Sequence, residues 1–73
     1  MESFKDRLKA LRLERNCTLA QVAKAIHLTV SAYSNYEQGI REPSLEIIKR
    51  ICKYFDVTAD YLLGLEDTPN VRE

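Results

Sequence analysis

Glycine and proline are scarce in this sequence, two of each among 73 residues. A sheet protein with many tight turns draws on both, so the shortage favours helices. Uninterrupted apolar stretches run to only a few residues, far short of the roughly 20 that a membrane-spanning helix requires. Charges at Lys5, Asp6, Arg7 and Lys9 break up the first residues, so there is no signal-peptide pattern and a cytoplasmic location is expected. Cys17 and Cys52 stand apart without a CxxC pair, and His27 is the one histidine, so a zinc site lacks ligands and no metal or cofactor is expected. Both thiols are expected to be reduced core fillers, a redox-sensing role being the alternative. Nucleophile–base constellations and Gly-rich phosphate loops are missing too, which excludes an enzyme on inventory.

Net charge is also absent: 11 Lys and Arg balance 11 Asp and Glu. The distribution is uneven, however. Residues 1–55 carry ten basic and six acidic side chains, whereas residues 56–73 carry one basic and five acidic. The body of the chain can therefore present a modest basic face, with the acidic excess confined to its end.

What the sequence has in quantity is helix punctuation. Ser3 with Asp6 resembles a capping box, and Phe4, Leu8 and Leu11 then line one face, which predicts a helix over about 4–15 ending near Asn16. Thr18 with Gln21 forms a second box ahead of Leu19, Val22, Ala23 and Ile26, predicting a helix over 19–26. Thr29 opens a third, 30–38, with Tyr33, Tyr36 and Ile40 on its inward face and Gly39 as its stop. Ser44 opens a fourth, 45–55, with an apolar stripe of Leu45, Ile48, Ile51, Cys52 and Phe55. Thr58 opens a short fifth, 59–63, ended by Gly64. A chain this short buries only about 60% of its unfolded surface, so the five helices make one all-α domain at most.

Helices 19–26 and 30–38 are joined by a turn too short for antiparallel packing, so they must cross steeply and leave the second projecting. Its outer face reads Val30, Ser31, Ala32, Ser34, Asn35 and Gln38, small or polar and free of acids. Such a face suits a groove lined by phosphates; an ordinary solvated helix face is the competing reading.

The ordered segment Thr18-Leu19-Ala20-Gln21-Val22-Ala23-Lys24-Ala25-Ile26-His27-Leu28-Thr29-Val30-Ser31-Ala32-Tyr33-Ser34-Asn35-Tyr36-Glu37-Gln38-Gly39 resembles the helix-turn-helix of the Cro/C1-type (XRE) family of regulators. Leu8-Lys9-Ala10-Leu11-Arg12, Arg41-Glu42-Pro43-Ser44-Leu45 and Val57-Thr58-Ala59-Asp60-Tyr61-Leu62-Leu63-Gly64 resemble the family's flanking motifs, in register over residues 4–64. The resemblance implies a five-helix lambda-repressor-like domain over 4–64, with the motif at 18–37 and a flexible tail over 65–73. It implies a double-stranded-DNA-binding transcriptional regulator, a repressor ahead of an activator. By the same resemblance Val30, Ser31, Ala32 and Asn35 reach base edges. Thr18, Gln38 and Arg41, with backbone amides at the start of the second helix and around Gly39, reach phosphates. Lys5 and Lys24 are either further phosphate contacts or solvated surface lysines. Arg12 and Glu37 form a structural ion pair.

Three positions depart from the family pattern. Leu19 stands where Gln is common, which removes one donor beside the phosphates. His27 and Asp56 stand where Gly is common, and both residue types tolerate positive φ. The neutral total charge, the Leu19 replacement and the small readout residues support an alternative: an interaction module on the same fold, antitoxin-like or a repressor antagonist, with weak or no DNA binding. A homodimer through segment 57–65, apolar at Val57, Tyr61, Leu62, Leu63 and Leu65, is expected of a reader this small. That segment's other role is to cover its own core. An unidentified protein regulator is a further expected partner.

Overall fold

The structure is a computed structural model and describes residues 3–66. Five helices follow in order: α1 (Phe4–Glu14), α2 (Leu19–Ala25), α3 (Val30–Gln38), α4 (Leu45–Phe55) and α5 (Ala59–Leu62). Each start and stop lies within a residue of the position that the caps and periodicity predict. None is long and apolar enough to cross a membrane.

One stop signal is used five times. Asn16, His27, Gly39, Asp56 and Gly64 follow the five helices in turn, each with φ between 57° and 85°. After each of them, an amide reaches back five residues to a carbonyl in the last turn. Cys17 N–H donates to Arg12 O, Leu28 N–H to Ala23 O, Ile40 N–H to Asn35 O, Val57 N–H to Cys52 O and Leu65 N–H to Asp60 O, at 2.7–3.1 Å. This Schellman closure satisfies carbonyls that a helix end otherwise leaves unpaired. Asn, His and Asp accept the left-handed conformation better than other L-residues, which is why three of the five stops can do without glycine.

The starts are also uniform. Thr18, Thr29, Ser44 and Thr58 each accept the backbone N–H of the third helical residue. At Thr18 the box is complete, because the Gln21 carboxamide oxygen accepts the Thr18 N–H at 2.8 Å. Ser3 departs from the expected box. Its hydroxyl caps no backbone group and donates instead to the Asp6 carboxylate at 2.9 Å. The carboxylate of Asp is one methylene shorter than that of Glu and does not reach back to the cap backbone.

The core is built from Leu8, Leu11, Val22, Ala23, Ile26, Tyr33, Ile51, Phe55, Val57 and Leu62. Two residues assigned to core faces by periodicity lie outside it. Leu45 is 78% exposed and Ile40 is 65% exposed. Leu45 sits at the first position of α4, ahead of the turn that meets the core, and Ile47 packs against the core instead. Ile40 follows Gly39, whose left-handed φ of 78° turns the chain off the α3 face. Cys17 and Cys52 are half-buried and form no disulfide, packed at the margin of the core rather than within it.

Three arginines tie helix ends together. Arg15 donates to the Phe55 carbonyl at 2.8 Å, Arg50 to the Ile26 carbonyl at 3.1 Å and Arg7 to the Glu66 carbonyl at 2.9 Å. The first two place a cation against the negative end of α4 and of α2 respectively. Arg7 is buried and its guanidinium lies 4.3 Å from the centre of the Tyr61 ring, a cation–π contact. Leu65 and Glu66 both hydrogen-bond to the Asp60 carbonyl. The rest of the expected tail, residues 67–73, lies outside the described residues.

Truncating Phe55 to Ala should cost about 3–5 kcal/mol, because its ring is fully enclosed. Leu45→Ala should change stability by less than about 0.5 kcal/mol, since its side chain is largely in solvent. Urea denaturation of the two variants side by side checks both; equal losses would contradict the packing described.

Candidate nucleic-acid interface

The interface is built around α2, α3 and the loop after α3. A Schellman turn ends α2, and Thr29 caps α3 two residues after His27, so one helix stops and the next starts within a few residues. Leu28 packs back onto the core at this turn, with Tyr33 beneath α3. The inner face of α3 is thus committed to the core, Tyr33 fully and Tyr36 in part.

The outer edge of α3 is open. Val30 is 45% exposed, Ser31 and Gln38 are exposed, and Ala32, Ser34 and Asn35 are half-exposed. The four sequence-selected base-edge candidates, Val30, Ser31, Ala32 and Asn35, therefore fall on one accessible stretch. No carboxylate stands on it, because Glu37, the single acid of α3, is turned inward.

Glu37 is held there by Arg12. Arg12 Nε donates to Glu37 Oε2 at 2.7 Å and a terminal nitrogen donates to Glu37 Oε1 at 3.0 Å. The second terminal nitrogen donates to the Cys17 carbonyl at 3.0 Å. One guanidinium thereby joins α1, the segment entering α2, and α3. Both side chains are nearly enclosed, at 12% and 6% exposure. The hydrogen bond to Glu37 raises the Arg12 pKa above its ordinary value, outweighing the effect of burial. Beside this pair the Tyr33 hydroxyl is buried without a hydrogen-bond partner among the described residues. Burial first, then the neighbouring Glu37 carboxylate, push the Tyr33 phenol pKa up.

The phosphate candidates are exposed at the start of α2, at the end of α3 and in the loop that follows. Thr18 is exposed at the start of α2, where its hydroxyl oxygen accepts the Gln21 N–H and keeps its own proton available to donate. Gln38 donates through its carboxamide to Ser34 Oγ at 2.7 Å, which fixes the end of α3. Arg41 is exposed in the following loop. Leu19 is half-buried and packs against the core, so its replacement of a polar residue serves packing.

A groove of about 440 Å³ runs beside Gly39, with Phe4, Tyr36, Ile48 and Leu63 as its apolar part and Lys5, Gln38 and Arg41 at its polar part. That Lys5 of α1 meets Gly39, 34 positions on in the sequence, in this groove is not visible in helical periodicity. Arg7, Arg15 and Arg50 were equally hidden. A sequence shows their charge but not that Arg15 and Arg50 face helix ends and Arg7 the Tyr61 ring and the Glu66 carbonyl.

The model of the helix-turn-helix family matches residues 8–62. The chain belongs to the helix-turn-helix family of the Cro/C1 (XRE) type. Among curated proteins it is 43% identical over 61 residues to the HTH-type transcriptional regulator AnsR of Bacillus subtilis, covering 84% of this chain and 53% of that protein. It is 36% identical over 70 residues to the HTH-type transcriptional activator BcrR of Enterococcus faecalis, covering 96% of this chain and 34% of that protein. The chain spans about half the length of most of the curated relatives it matches. Its fold resembles that of the P22 c2 repressor solved with a synthetic operator, at a TM-score of 0.84 over 90% of this chain and 100% of that one, with 24% identity. It also resembles the N-terminal DNA-binding domain of SinR from Bacillus subtilis, at 0.76 over 82% of this chain and 88% of that one, again with 24% identity. At such identities these two likenesses speak for the fold alone.

Arg12→Met and Glu37→Gln should each destabilise this helix-turn-helix domain by about 3–5 kcal/mol, since each strands the other partner in a nearly enclosed site. The double variant should lose less than the sum, as measured by urea denaturation; strict additivity would deny the pair any coupling. Tyr33 adds an alkaline limit. Its raised pKa in the folded state means that its stabilising contribution is complete below the unfolded value of 10 and is lost as pH climbs above it. Tyr33→Phe should flatten the fall in stability above pH 10 in thermal melts across pH; an unchanged alkaline limb would contradict this.

Proposed function

We propose that this chain is a transcriptional regulator that binds double-stranded DNA by laying the outer edge of α3 in the major groove, with repression as its mode. The observation that carries the reading is the exposed, acid-free edge of α3, held outward by the buried Arg12–Glu37 pair. A small protein seated in a promoter groove blocks other proteins from the same site, which favours repression. The names of the relatives and of the operator-bound fold neighbour agree with DNA binding.

In this reading Asn35 pairs with an adenine through both ends of its carboxamide, and Val30 and Ala32 touch thymine methyls. Ser31 adds a permissive polar contact. Thr18, Gln38 and Arg41 hold phosphates, and these contacts set position rather than sequence. Direct readout by so few small side chains is modest, so the shape of the DNA contributes to specificity. Two copies on half-sites about 34 Å apart supply the missing affinity. Val57 and Leu62 are buried within the monomer and Tyr61 lies under Arg7, so the dimer surface narrows to Leu63 and Leu65, which are 44% and 69% exposed. A cytoplasmic location fits a regulator of this kind.

Selection of bound fragments from random duplex DNA should return a two-fold-symmetric motif with one adenine that loses its enrichment in Asn35→Ala. That variant should bind the selected site about 1–3 kcal/mol more weakly. Absence of duplex binding at low salt would overturn the reading in favour of a protein-interaction module. Sedimentation of the complex should show two chains per site; one chain per site would sink the dimer.

A further inference from the structure

We infer that Lys5, from the first turn of α1, is a phosphate-binding residue that acts together with Arg41 and Gln38 across Gly39, so that the backbone contact extends beyond the helix-turn-helix to the first helix. This rests on the DNA-binding reading above and adds a residue and a ligand group, a single phosphodiester, to it. The side chain of Lys5 is laid along Gly39. A Cβ built on Gly39 would stand 2.8 Å from Lys5 Cδ, 3.6 Å from Cε and 3.9 Å from Cγ. Three consecutive carbons of the lysine stem therefore run past one glycine, with the ammonium one bond beyond Cε.

Two features make this placement chemical rather than incidental. The stem lies in the groove whose apolar part is Phe4, Tyr36, Ile48 and Leu63, while Lys5 as a residue remains exposed. A lysine that buries its methylenes and keeps its charge in water gives up less freedom on binding an anion than one waving in solvent. The same groove is lined by Gln38 and Arg41, the phosphate candidates at the end of α3 and in the next loop. Glu42 also lines it, so the cations face one opposing carboxylate, and the pair Lys5 and Arg41 is what keeps the site net positive. Gly39 keeps this path open: its φ of 78° is one that L side chains rarely adopt, and a side chain there would push the lysine stem aside.

The test uses the full chain with Lys5→Met, which keeps a stem over Gly39 and removes the charge, and Lys5→Arg, which keeps the charge. Dissociation constants are measured over a salt series on the selected duplex and on a scrambled one. Lys5→Met should weaken both duplexes by the same factor, roughly fivefold at 0.15 M salt, the effect of one released counterion. It should reduce the slope of log K against log salt by about one, while Lys5→Arg keeps the slope. Thermal midpoints should be unchanged in both. A Lys5→Met slope and affinity equal to those of the unmodified protein would overturn the inference while leaving the DNA reading intact. A loss confined to one base pair would overturn it as well. If the unmodified protein binds neither duplex, the DNA reading fails first, and the inference with it.

Discussion

The arrangement of the domain depends on one guanidinium. Arg12 reaches from α1 to the Cys17 carbonyl ahead of α2 and to both carboxylate oxygens of Glu37 on α3. Planar, bidentate geometry of this kind fixes direction as well as distance, which a lysine could not do. The pair also removes the single acid of α3 from the outer edge. Position and charge of that edge are thus set by the same contact. A buried pair of this sort is weak evidence for extra stability, because desolvation offsets much of the attraction. Its value lies in orientation.

Around that centre the chain manages its helix ends with little glycine. Five helices produce ten termini among the described residues, and each terminus exposes backbone groups that must find partners. Ser and Thr caps at four starts and the same Schellman closure at all five stops supply partners at nine of those ends. Arg15 and Arg50 complete the ends of α4 and α2 from other parts of the fold. The basic excess of residues 1–55 is therefore partly structural. Arg7, Arg12, Arg15 and Arg50 face carbonyls, a carboxylate or aromatic rings within the protein. The cations left for an anionic partner are fewer than the sequence suggests, which is why the proposed phosphate contacts turn on Lys5 and Arg41.

The amino-acid order by itself determined the helices, their limits and the short turn between α2 and α3. These follow from local rules: a side-chain cap, an apolar spacing near 3.6 residues and a residue that accepts positive φ. The outer edge of α3 was legible for the same reason, since periodicity assigns Tyr33 inward and Ser31 outward. Only the tertiary structure decided which apolar residues are enclosed. Leu45 and Ile40 sit at element ends where the stripe runs past the core, and Val57 and Leu62 turn inward from a segment that equally suited a partner surface. The roles of Arg7, Arg15, Arg50 and Lys5 also belong to the fold, because each partner lies far away in the chain. No local rule couples a side chain to a helix end or a glycine that approaches it only after packing.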